Sequence, residues 1–398
     1  MIMTRYVTRD HVLFAEALRF FRPPDGNYSR VMFYTKPLTG YLLFDFDWPE
    51  NWAAGGFLIG GTTVVPLPGP YAAFVAAVEL PEWVEPFAAH QVTTALATII
   101  SFVIGRPVRS PRDSYLARSE TPDYQRLAIQ FPVVVAGPGI HSPVPEIWRA
   151  DFSLAVADLV SLLLNLPYDA YVSAMESMRL VHMAQLYKRD DFGLSYYLLV
   201  SSIETVAQKV ISTEMVEGAD PIKDAWLTRA KEDSEFADLL AAFQDKVDKA
   251  RLKARFVEFV LQYCPPTRWA WADLEHPLAG LDHYLPERHR GLIDRLAEPL
   301  LESLLSPNGE PTVRKLLKSA YDHRSGFTHQ GQSPPHHDPN SDSRIFQVQD
   351  EYNVKTGRFD PTVLPGFRLM SFIARHSILA YFETLRPPSS RSGVSKSH

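Results

Sequence analysis

The segment TVRKLLKSAYDHRSGFTHQGQ places Arg324 and His329 five positions apart near the end of a helical pattern. On a helix that spacing is a turn of about 140°, so the two side chains flank a face and do not stack on it. Arginine supplies a permanently charged, planar donor fork, and histidine supplies an imidazole that exchanges a proton near neutral pH. Together they suit a phosphate: one group holds the anionic oxygens while the other moves a proton. Asp322, Ser325 and His329 share one side at helical spacing, and Tyr321 stands just before them. Gly326 and Gly331 weaken the helix locally.

A second segment, YYLLVSSIETVAQKVI, aligns Tyr197, Val200, Ser201, Glu204, Ala207 and Ile211 along one mostly apolar stripe. Glu204 is anomalous there, because a carboxylate on a packing face needs a partner or a proton. Arg324 is its natural candidate partner. A purely structural alternative stands beside the chemical one: Arg324 pairs with Glu204 and His329 caps the end of its helix.

These two segments together resemble the Apea-like branch of the HEPN superfamily, whose hallmark is an arginine, four to six residues, then a histidine. The matching stretch here is Arg324, Ser325, Gly326, Phe327, Thr328, His329, with the SSIET segment far upstream. Where many members carry Asn, Asp or His directly after the arginine, this chain has Ser325. The resemblance covers roughly residues 168–385 and implies an all-helical bundle, dimeric through its helices. It also implies a metal-independent endoribonuclease in anti-phage or stress defence, or else a non-catalytic scaffold that binds RNA or protein partners. In the catalytic case His329 is the acid/base and Arg324 steadies the phosphoryl oxygens. Tyr321, Asp322, Ser325 and Glu204 play supporting parts, with Glu204 orienting the arginine. Single-stranded RNA is then the partner, DNA is not, and neither cofactor nor metal is implied.

The elements that must position these residues fall into two groups. A chain of 398 residues exceeds the usual size of one growing core, so two domains are expected. From Ser29 to Val78, VMFYT, GYLLFDFDW and GGFLIGGTTVVPL read as strands separated by turn signals. A helix is expected from about Pro81 to Ile104, ended by Gly105 and Pro107, and then a strand from Arg126 to Val135. The turn-rich AGPGIHSPVPE marks a boundary, giving an α+β domain over residues 1–148 with a sensing or docking role. After it come long helical patterns over roughly 151–165, 168–188, 192–213, 221–262, 286–305, 311–330 and 365–385. They form the helical domain of residues 149–386, followed by a polar tail over 387–398 expected to be disordered. The fold class is therefore α+β, a β-rich part followed by a helical bundle.

Composition narrows the remaining classes. With 46% hydrophobic and 22% charged residues the chain is ordinary globular material. Its net charge of −6 provides no global attraction to nucleic acid, so RNA contact must be local. One cysteine, Cys264, cannot close an intrachain disulfide, and neither a signal peptide nor a membrane span is expected, which fits the cytoplasm. His336, His337 and Asp338 lie in a proline-rich stretch without rigid geometry or a full ligand set. Lys246, Lys249, Arg251, Lys253 and Arg255 read as a solvated helix face, and Trp269 and Trp271 as packing anchors.

Overall fold

The computed structural model describes residues 38–54, 57–67, 72–81, 84, 89–111, 123–133, 144, 146–188, 190–212, 221–269, 272, 309–330, 346–353 and 357–386. The side chains of 147, 221–224, 244–250, 328–330, 347–353 and 358–362 lie outside that description. So do the expected VMFYT strand, the 286–305 helix, the boundary segment before residue 144, the 336–338 cluster, Trp271 and the tail.

An antiparallel sheet occupies the amino-terminal part. Its strands are β1 (Thr39–Phe44), β2 (Trp52–Ala54), β3 (Phe57–Ile59), β4 (Thr63–Pro66), β5 (Ala72–Glu79) and β6 (Val108–Arg109). They run in the order β2-β3-β5-β1-β6, with β4 also paired to β5. The central pair is in register from Thr39 opposite Glu79 to Phe44 opposite Phe74.

Alternation along these central strands sends side chains to two separate clusters. Leu42, Phe44, Phe74, Ala76 and Val78 point into the main core, and Tyr41, Leu43, Ala73 and Val75 into a smaller one. Helix α1 (Ala89–Ile104), with Val92, Leu96, Ile99 and Ile100 buried, packs on β1 and β6 in the main core. The smaller cluster is closed by α2 (Tyr124–Gln130) through Leu127 and Ala128.

That second helix corrects the strand expected from Arg126 to Val135. Asp123 caps it, its side chain accepting from the Arg126 amide at 2.9 Å. The apolar run RLAIQFPVVV reads as a strand only if this cap is overlooked.

Helices dominate from residue 146 onward: α3 (Glu146–Asn165), α4 (Tyr168–Tyr187), α5 (Phe192–Val210), α6 (Pro221–Ala230), α7 (Ser234–Tyr263), α8 (Glu310–Gln330) and, after a hairpin, α9 (Phe367–Thr384). The single helical pattern expected over 221–262 is two helices. Asp233 starts the second by accepting from the amides of Glu235 and Phe236, each at 3.1 Å. The molecule is thus α+β, a small antiparallel sheet followed by a helical part. That part is not all-helical as expected: β7 (Phe346–Asn353) and β8 (Arg358–Pro365) form a two-stranded hairpin that contacts α8, held by pairing across the hairpin. Gly357 closes its turn at φ +65°, a conformation glycine adopts without a Cβ clash.

Helix α5 is the central post, packed against α4, α7, α8 and α9. The main core continues without interruption from Phe44 and Trp48 in the sheet, through α1, to Val257, Leu317 and Phe372. Polar contacts tie the same seam. His182 on α4 meets the Thr98 hydroxyl at 2.9 Å through Nδ1 and the Val108 carbonyl at 2.5 Å through Nε2. Since a carbonyl only accepts, Nε2 carries a proton. Arg375 on α9 donates to the Val103 carbonyl at 3.0 Å, next to Gly105, whose φ is +72°. Arg106 pairs with Asp45 at 2.9 Å, both buried, with its guanidinium 4.8 Å from the centre of the Phe46 ring.

Candidate functional site

The arginine near the end of α8 is held from three sides. Its Nη2 lies 2.7 Å from Glu204 Oε2 on α5, with 19% of the arginine side chain and 5% of the glutamate exposed. Tyr321, one turn earlier on α8, donates its hydroxyl to the other oxygen, Glu204 Oε1, at 2.9 Å. The guanidinium carbon stands 5.5 Å from the Tyr197 ring centre and 5.7 Å from that of Tyr321. Tyr197 in turn meets Phe327 of α8 with ring centres 5.5 Å apart.

This geometry follows from the stripe on α5. Val200, Ile203, Val206 and Ala207 are buried, which draws Glu204 under with them. A carboxylate taken out of water needs donors, and Arg324 and Tyr321 supply one to each oxygen. Phe256 of α7 packs on Tyr321 at 5.6 Å between ring centres and fixes the phenol from behind.

Burial, and then the negative charge of Glu204, push the Tyr321 hydroxyl well above the ordinary tyrosine range. At neutral pH it is a donor and cannot act as a base. A phenol with a raised folded pKa contributes stability that is complete below its unfolded value of about 10 and fades as pH rises beyond it. Tyr321→Phe is expected to lower stability by about 2 kcal/mol at pH 8, the worth of a hydrogen bond to a charged acceptor. Above pH 10 the gap should narrow, because the variant has lost one ionisation that opposes folding. Urea denaturation at pH 8 and at pH 10.5 measures both.

Of the remaining expected site residues, Asp322 is exposed and pairs with Lys253 of α7 at 2.5 Å, and Ser325 is half-buried on α8. The backbone of His329 continues α8 into its last turn, and its side chain lies outside the described residues. Tyr321, Arg324 and Glu204 are therefore brought together, whereas Asp322 turns to α7. Tyr197 faces the guanidinium, and Phe327 packs on Tyr197. Tyr197 was visible on the α5 stripe, but its role against a guanidinium emerges only once α8 is laid across α5.

Trp269 is fully buried and donates its indole N–H to the Cys264 carbonyl at 3.0 Å, which leaves it no face for a base. Among the described residues no group of three or more His, Cys, Asp or Glu side chains is placed to hold a metal ion. Nor, among them, is any helix long and apolar enough to cross a membrane.

Compared with known family models, curated proteins and solved structures, the chain matches none. Function must be argued from the site.

Proposed function

We propose that this chain is a metal-independent endoribonuclease of the HEPN type that cuts single-stranded RNA as a homodimer in the cytoplasm, in anti-phage or stress defence. The observation that carries the reading is the pre-set arginine. Arg324 is oriented by Glu204 and by the faces of Tyr197 and Tyr321, keeps about one-fifth of its side chain exposed, and stands five positions before His329 on one helix. Fixed donors aimed at developing charge are what phosphoryl transfer requires of a protein.

In the reaction the ribose 2′-oxygen bonds to the adjacent phosphorus as the bond from phosphorus to the 5′-oxygen breaks. The 2′-hydroxyl gives up its proton and the departing 5′-oxygen gains one. His329 carries these transfers, and in the dimer two motifs supply two imidazoles, one to accept and one to donate. Arg324 neutralises the charge gathering on the non-bridging oxygens. The products are a 2′,3′-cyclic phosphate and a 5′-hydroxyl. Chemistry that begins at the 2′-hydroxyl spares DNA.

One observation favours a second reading, a non-catalytic scaffold of the same kind: the ion pair between Arg324 and Glu204 is mostly buried and forms without a ligand. The two part on a simple assay. In EDTA, the full-length protein should cut a mixed single-stranded RNA and leave the same sequence in DNA intact. RNA binding without scission, including after incubation with phage-infected cell extract to supply a trigger, would select the scaffold.

A further inference from the structure

Helix α5 carries four serines and threonines, and three of them are spoken for by the backbone. Ser195 donates to the Asp191 carbonyl at 3.0 Å, Ser202 to the Leu199 carbonyl at 2.7 Å and Thr205 to the Ser201 carbonyl at 2.8 Å. Ser201 is different. Its residue is more than nine-tenths buried, yet its Oγ has no hydrogen-bond partner among the described residues. A buried hydroxyl left in that state is unfavourable, so its presence calls for a reason.

Its place on the helix suggests one. Tyr197, Ser201 and Glu204 follow one another at spacings of four and three, on the face that meets α8. Arg324 spans that face, with its guanidinium over the Tyr197 ring and on the Glu204 carboxylate. The orphan hydroxyl therefore sits between the two groups that hold the arginine, within side-chain reach of Glu204 one turn on. Among the described residues the carboxylate has two donors, Tyr321 on Oε1 and Arg324 on Oε2. Were Arg324 to turn to an external anion, Oε2 would be stranded in a buried place. Ser201 is the donor available to take it up.

We infer that Arg324 has two positions: it leaves Glu204 for a phosphodiester oxygen of the substrate, and Ser201 then donates its hydroxyl to the vacated carboxylate oxygen, keeping two donors on Glu204 throughout. Ser201 is thus a positioning residue that makes the arginine's release reversible, and its unsatisfied state belongs to the resting protein. No covalent bond changes; only donors exchange. The inference rests on the reading of Arg324 as the phosphate-binding residue and deepens it by specifying how a buried ion pair yields to substrate.

Ser201→Ala separates this role from a structural one. Removing an unsatisfied buried hydroxyl leaves the melting midpoint unchanged or raises it. Yet the anion-bound state loses a charge-assisted hydrogen bond, so affinity for a labelled single-stranded 2′-O-methyl oligonucleotide, which cannot be cut, should fall about tenfold. In a Glu204→Leu background no acceptor awaits the hydroxyl, and the same substitution should change affinity less than about twofold. Weakened binding with an intact fold, abolished in that background, supports the exchange. If Ser201→Ala binds as tightly as wild type, or loses as much in both backgrounds, the exchange is overturned and the ribonuclease reading is untouched. If the binding pattern holds but wild type cuts no RNA, the exchange stands and the ribonuclease reading falls. If wild type binds no oligonucleotide, the exchange is overturned.

Discussion

Arg324→Ala is expected to lower the folding free energy by about 2–4 kcal/mol, because it leaves the Glu204 carboxylate buried with Tyr321 as its remaining donor among the described residues. The pair is not fully enclosed, with about one-fifth of the arginine side chain exposed, which keeps the figure below that of a completely buried pair. Glu204→Leu introduced on top should recover most of the loss, since the stranded charge is removed with the residue that bore it. Urea denaturation of wild type, both single variants and the double variant gives the coupling energy directly. A double variant no more stable than Arg324→Ala alone would show that the pair does not govern this part of the core. Lost activity in Arg324→Ala therefore mixes lost folding with lost chemistry. Arg324→Lys keeps the charge without the planar fork and is the sounder probe of phosphate recognition.

His329→Ala should have the largest effect on turnover, a fall of about 10²- to 10⁴-fold, the usual contribution of a positioned general acid or base. Its position in the last turn of α8 predicts a small effect on folding, within about 1 kcal/mol. The two arms distinguish it from Arg324: for the histidine, rate falls while stability holds; for the arginine truncated to alanine, both fall. A His329→Ala variant that unfolds with Arg324→Ala would instead make the motif a structural clamp. Single-turnover kinetics alongside thermal melts measures the pair of quantities.

Much of this arrangement is legible in the sequence. The α5 stripe predicted that Glu204 would be drawn under with its apolar neighbours and would need a partner or a proton, with Arg324 the natural candidate, and the structure pairs the two. The β-to-helix change after residue 145 was visible in the texture of the chain, and α4, α5 and α9 lie close to where periodicity placed them. What periodicity missed has local causes. In α2 seven residues give too short a window for a helical repeat to outweigh the apolar run, and the Asp123 cap was the decisive signal. In α6 and α7 the charged sequence KEDSEF hid a break that Asp233 creates by capping. The β7–β8 hairpin carries Asp350, Glu351, Asn353, Asp360 and Pro361, residues that disfavour strands, and pairing across the hairpin overrides them. Ser201 was visible as one more member of the α5 stripe, but a sequence does not show that its hydroxyl is left without a partner among the described residues.

The central claim is the chemistry at the Arg324–His329 motif, and the ends of the cut RNA report it most directly. Wild type, His329→Ala and Arg324→Lys, each checked for folding, would be incubated with single-stranded RNA in EDTA and the termini of the fragments identified. Wild type is expected to leave 2′,3′-cyclic phosphate and 5′-hydroxyl ends, with strongly reduced scission in both variants and no cut where the attacking 2′-hydroxyl is replaced by hydrogen. Fragments with 5′-phosphate ends, or equal scission by all three proteins, would contradict it.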